Sequence, residues 1–267
     1  MVAGLLAPLA ARATATIAIG AFRLDHPPEQ GGLALGWAPA ATRRLVVDGQ
    51  DVAMVPDGRF IIGFGRDRAP VAVLTAFLAD GNSITERLTV LGHAWQIEHL
   101  TTVQRYPQPD AEFQARRPAE LAQIKAAREI DVKSDGWRQG FLWPAKGRIS
   151  GLFGAQRIYA GEAGAPHAGV DIAAGAGTLV RAPADGFVIL AAASPFTLEG
   201  NLLMVGHGMS LDSAFLHLSK ISVKHGETVR QGQIIGAVGA TGRASGPHLH
   251  WGMKWKDERI DPERLAH

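Results

Sequence analysis

The 267-residue sequence contains no cysteine. That absence excludes disulfides, thiolate metal sites and a cysteine nucleophile, so any transition-metal site must use histidine and carboxylate ligands. Net charge is also scarce: 27 Lys and Arg against 25 Asp and Glu leave a formal +2. Such a surplus, with no Lys/Arg cluster, makes no nucleic-acid footprint; at most it allows a weak attraction to an anionic envelope polymer. Beyond the first twenty residues, no stretch is long and apolar enough to cross a membrane. No repeat of fixed period runs through the chain, and no carbohydrate-binding motif or wall-anchoring repeat is visible. Hydrophobic residues reach 46%, which supplies a core and excludes disorder through lack of apolar material.

What is abundant is glycine, 32 residues, with 15 prolines, a composition of tight turns and short strands. Residues 1–20 are apolar and Ala-rich, with Ala13-Thr14-Ala15 as a small-residue cleavage site and Arg12 as the sole charge. Residues 1–21 therefore read as a signal-like or truncated leader, the alternative being a first strand near 14–24. Residues 22–105 read as an antiparallel β-sandwich. Leu45-Val46-Val47 and Val52-Ala53-Met54 flank Asp48-Gly49, a hairpin signal, and the stretches 71–78, 84–90 and 95–100 complete the set. Pro118 followed by AELAQIKAAREI predicts a helix with proline in its first turn, so residues 106–140 form a helical linker without assigned chemistry. Dense glycine between apolar alternations then predicts an all-β domain over 141–267.

Ten histidines are present. His26, His93, His99, His225 and His267 read as surface or capping residues, and His207, between two glycines, reads as a turn residue without a catalytic role. Four remain. In Pro247-His248-Leu249-His250, a strand beginning after the proline points both imidazoles to one face, about 6–7 Å apart. In His167-Ala168-Gly169-Val170-Asp171, a straight strand would hold His167 and Asp171 about 13 Å apart, too far for one ion. A bend near Gly169 solves this. Two histidines and a carboxylate leave a fourth zinc position for water, which the metal activates as a nucleophile. Further histidines, including His217 in Phe215-Leu216-His217-Leu218, would then move protons or hold an oxyanion.

Taken in order, these elements resemble the lysostaphin/LytM-type zinc endopeptidases. The match runs over residues 141–262: His167-Ala-Gly-Val-Asp171, 201–208, Phe215-Leu-His217-Leu, 226–239, and Thr241-Gly-Arg-Ala-Ser-Gly-Pro-His248-Leu-His250. The resemblance implies one zinc ion on His167, Asp171 and His250, with His217 and His248 as the catalytic pair. Tyr159 and Asn201 become candidates for substrate or transition-state contacts. It also implies a mostly antiparallel β fold of the duplicated hybrid motif type, with a groove along one sheet. Phe215 departs from the family, which usually carries tyrosine there. The segment 226–239 also resembles the hairpin of biotinyl/lipoyl carriers, but it lacks the lysine such a hairpin needs at its tip.

The implied function is hydrolysis of peptide crosslinks in bacterial peptidoglycan, in the periplasm or cell envelope. Two other readings compete. One is a non-catalytic regulator of this family that activates cell-wall amidases, weakened by five intact site positions. The other is a wall-binding module led by the first domain.

Overall fold

The computed structural model describes residues 16–101 and 110–267. The leader reading falls mainly on residues 1–15, outside the described residues. Ile17–Ile19 and Phe22–Leu24 form a small hairpin, the outer half of a four-stranded sheet continued by Leu33–Trp37 and Arg59–Gly63. A second four-stranded sheet runs in the order Gln50–Val52, Thr42–Val47, Val71–Leu78 and Ser83–Thr89. Its tight turn is Asp48-Gly49, with φ of 47° and 83°, the two left-handed residues that a two-residue hairpin demands. Alternation decides which face is apolar: Ala72, Leu74 and Ala76 are buried, while the residues between them are more exposed.

Ile97–Leu100 does not complete this pair of sheets, as its sequence suggests. It pairs in parallel with Gln156–Tyr159, and Glu162–Ala163 adds a third strand. Local patterning marks a strand but cannot name a partner some sixty residues away. The Trp95 ring follows the same course and packs edge-on against Phe153, centroids 5.5 Å apart. Apolar packing continues across the chain: a Cβ at Gly63 would lie 2.8 Å from the Ile260 side chain and 3.0 Å from that of Trp255. Phe22, Leu74, Trp251 and Ile260 thus belong to one buried cluster.

The helix spans Ala111–Arg128 and starts about two turns before Pro118, not at it. Asp110 caps it, its carboxylate accepting from the Phe113 N–H at 2.7 Å. Pro118 lies inside the helix, where it removes one backbone donor. Packing and ion pairs hold the helix despite this. Ile124 and Ala127 lie against Phe196, Ile189 and Met204, and Arg117 grips the Glu199 carboxylate through two nitrogens at 2.6 and 2.8 Å. No helix among the described residues is long and apolar enough to cross a membrane.

The C-terminal region is built on an antiparallel sheet in the order Arg148–Gly151, Val170–Ala173, His248–Trp255, Leu211–Leu218, Asn201–Gly208, Gly186–Ala191 and Thr228–Val229, with Glu258–Ile260 pairing beside His248–Trp255. One face is covered by the core around Val170, Leu249 and Trp251, all fully buried. The other face carries the groove described below.

Candidate active site and metal centre

Strand alternation selects the residues of the groove floor. Along His248–Trp255, Leu249 and Trp251 point into the core, and His248, His250 and Lys254 point away from it. On the neighbouring strand Asp171 is the cross-strand partner of His250, between the buried Val170 and Ile172. The chain bends at Gly169, as the spacing of His167 and Asp171 requires, and His167 turns back over the strand.

Three donor atoms meet there. His167 Nε2 lies 3.0 Å from Asp171 Oδ1 and 3.0 Å from His250 Nδ1, and His250 Nδ1 lies 2.9 Å from the same carboxylate oxygen. His167 donates its Nδ1–H to the Leu152 carbonyl at 3.0 Å, so the neutral ring presents a lone pair at Nε2. Three nitrogen and oxygen donors facing one point suit a metal cation, and two imidazoles with a carboxylate are a donor set of the kind that holds one. Among the described residues this is the group of side chains suited to holding a metal. Gly151 borders it closely, since a Cβ there would lie 2.4 Å from Asp171 Oδ2.

The electrostatics follow the same geometry. Burial works against the Asp171 charge, yet the His167 and His250 rings in contact with it hold its carboxyl well below the usual carboxylate range. Burial also opposes charge on His167, but the bond and charge of Asp171 outweigh it and raise its pKa. For His250 burial dominates and lowers the value.

His217 and His248 stand beside this centre, ring centroids 4.8 Å apart. His217 donates Nδ1–H to the Thr241 carbonyl at 2.8 Å, and His248 donates Nδ1–H to the Gly246 carbonyl at 2.8 Å. With Nδ1–H committed to a carbonyl, Nε2 of each ring is the atom turned toward the centre, and His248 Nε2 is 3.9 Å from Asp171 Oδ1. Burial lowers the His217 pKa, keeping that ring neutral near pH 7. Its backbone is unusual: φ of 63° breaks the strand alternation. Phe215 is fully buried against the core, while Leu216 and His217 both line the groove. The phenylalanine thus sits away from the groove.

Asn201 and Tyr159 do not join the groove lining. Asn201 donates its side-chain amide to the Leu218 carbonyl at 2.8 Å, and Thr241 Oγ1 donates to the same oxygen at 2.9 Å. They brace the turn that carries His217. Tyr159 lies on the strand beside Ile97–Leu100 and interacts with Arg157. His207 is not in a turn but inside a strand, fully buried, bonded to the Asp185 carbonyl and to Ser213 Oγ at 2.9 Å each.

The groove holds about 990 Å³. One wall was not foreseen from sequence: Arg117, Leu121, Ile124 and Arg128 of the helix. Their helical spacing marks a face but not what that face borders.

Comparison with known proteins agrees with this architecture. The model of peptidase family M23 matches residues 165–262. The chain is similar to the peptidoglycan DD-endopeptidase ShyA of Vibrio cholerae, 43% identical over 108 residues, which are 40% of this chain and 25% of that protein. It is 39% identical to the DD-carboxypeptidase/endopeptidase Mpg of Neisseria meningitidis over 100 residues, 38% of this chain and 23% of that protein. The matches thus span about a quarter of the length of these curated relatives. A crystal structure from Pseudomonas aeruginosa, assigned to peptidase M23, superposes with a TM-score of 0.68 at 30% identity, covering 91% of this chain and 97% of that one.

Proposed function

The chain belongs to peptidase family M23, and from that premise we propose that it is a zinc endopeptidase that hydrolyses peptide crosslinks of bacterial peptidoglycan. The observation that carries this reading is the meeting of His167 Nε2, Asp171 Oδ1 and His250 Nδ1 within 3.0 Å of one another on a groove floor. When bound, the ion supplies Lewis acidity toward a carbonyl and activates water near neutral pH. His167, Asp171 and His250 hold it.

The rest of the chemistry belongs to His217 and His248. Each is oriented by a backbone carbonyl at Nδ1, so each offers Nε2 to the groove. A neutral imidazole there accepts a proton at Nε2 as the attacking water loses it. The resulting imidazolium returns that proton to the leaving amine. The same N–H can stabilise the tetrahedral oxyanion. The curated relatives named for peptidoglycan cleavage support the substrate class, and that substrate sets the location as the periplasm or cell envelope.

A second reading, regulation of a cell-wall amidase, draws on one observation: the helix forms a wall of the groove through Leu121 and Ile124. Digestion of purified peptidoglycan with and without a chelator, followed by mass analysis, separates the two. Chelator-sensitive release of peptide fragments supports the endopeptidase; no release, with stimulation of an added amidase, supports the regulator.

A further inference from the structure

The far end of the groove is cationic, and one of its charges is unmatched. Lys254 lies four residues beyond His250 on the same strand face, about 13 Å along it. Its cross-strand neighbours are Asp212 on one side and Arg259 on the other. Arg128, from the last turn of the helix, reaches over from the opposite wall, its Nε 3.3 Å from Asp212 Oδ2. Arg128, Lys254 and Arg259 all line the groove.

The pairing leaves a remainder. Arg128 is matched by Asp212, which is 6% exposed. Lys254 is matched by the exposed Asp257 at 3.3 Å. Arg259 is exposed and has no acidic partner among the described residues. The residue keeps an exposed edge, but partial burial of its guanidinium and the charge of Arg128 both push it downward from the ordinary range, while the nearby Asp212 is engaged by Arg128. A guanidinium whose donors no described residue engages, at the end of the groove, suits a planar anion, and a carboxylate takes it in a bidentate fashion.

We propose that Arg259, with Arg128 and Lys254 beside it, forms a subsite that reads a free carboxylate on the peptide substrate about three to four extended residues from the bond cut. This rests on the endopeptidase reading and gives it a selectivity: crosslinks whose acidic residues are free are preferred over those in which they are amidated. Arg259 is here a specificity residue, remote from the reacting atoms.

The test is binding, so that it does not depend on turnover. A crosslinked muropeptide dimer and the same dimer with its carboxylates converted to carboxamides are titrated calorimetrically into the full, metal-loaded chain carrying His217→Ala. The free dimer should bind on the order of tenfold more tightly than the amidated one. Adding Arg259→Gln should reduce that ratio to about twofold or less and leave the affinity for the amidated dimer unchanged, whereas Arg259→Lys should keep part of the preference. Arg259 is exposed, so folding should survive; Lys254→Gln, read in the same way, should weaken the preference and gives an independent variant. Equal binding of the two dimers, binding of neither, or an undiminished preference in Arg259→Gln would each overturn the subsite. Hydrolysis of the dimer by the unsubstituted chain is scored separately. Cleavage without preference removes the subsite alone, and preference without cleavage removes the catalytic reading alone.

Discussion

The imidazole of His217 donates its Nδ1–H to the carbonyl of Thr241 at 2.8 Å, from a backbone held at a φ of 63°. The Thr241 hydroxyl in turn accepts from the Asn201 N–H and donates to the Leu218 carbonyl, both at 2.9 Å. The ring that would carry the proton is thus aimed by two side chains that do not line the groove.

Thr241→Val should therefore lower kcat by about tenfold while zinc content stays the same, because it loosens the support of His217 without touching a ligand. The same change should cost roughly 1–2 kcal/mol of stability, leaving buried partners unpaired. Denaturant titration and metal analysis of one preparation check both. An unchanged kcat would mean that the Thr241 carbonyl holds its position without the hydroxyl.

The ligand set and the proton-moving pair should separate cleanly. His167→Ala, Asp171→Ala and His250→Ala should lose the metal, since three protein ligands leave no spare. His217→Ala and His248→Ala should retain it and lose on the order of 10²-fold or more in hydrolysis. Elemental analysis of the five variants distinguishes the classes. Metal loss from His248→Ala would exchange the roles within His248-Leu249-His250.

Gly151→Val should weaken metal binding without removing any donor. A Cβ at this position would meet Asp171 Oδ2 at 2.4 Å and the His167 ring at 3.1 Å, so both ligands would have to shift. Competition with a chromogenic chelator measures the change, and wild-type affinity would show that the loop yields instead.

The local geometry of the candidate site was legible in the sequence, while the roles given to its residues came from the family resemblance. The His248 strand begins after Pro247 and alternates as expected, and the bend at Gly169 is the one that the His167–Asp171 spacing demands. What was not legible depends on partners distant in sequence. The helix wall of the groove, the parallel pairing of Ile97–Leu100 with Gln156–Tyr159, and the bracing role of Asn201 all come from such contacts. Pro118 misled the helix start, because the Asp110 cap and the packing of Ile124 and Ala127 offset one lost backbone bond. The left-handed φ at His217 could not be read from a non-glycine residue.

Acid should destabilise the fold through His207. Burial lowers its pKa from 6.5 to about 4, so the folded state binds this proton less readily than the unfolded state. The stabilisation is full above pH 6.5 and is lost as pH falls toward 4, at up to roughly 1.4 kcal/mol per pH unit for this group alone. Thermal melts across that range should show a steeper fall for wild type than for His207→Gln. Parallel curves would assign the acid sensitivity elsewhere.

Residues 141–267 contain every proposed ligand within one sheet and its loops, and we propose that this fragment binds metal by itself. It should nevertheless melt at a lower temperature than the full chain. Removing the first region uncovers Ile260 and Trp255 where Gly63 packs, and strips the Glu29 partner from Arg264. A metal-free fragment would mean that the first region completes the site.

The most direct test of the central claim is mass analysis of peptidoglycan after incubation with the purified full chain, alongside chelator-treated protein and Asp171→Ala. The account predicts crosslinked dimers converted to monomers by the zinc-loaded chain, with neither control active and zinc restoring the chelated sample alone. Undigested crosslinks with fully zinc-loaded protein, or equal digestion by Asp171→Ala, would contradict it.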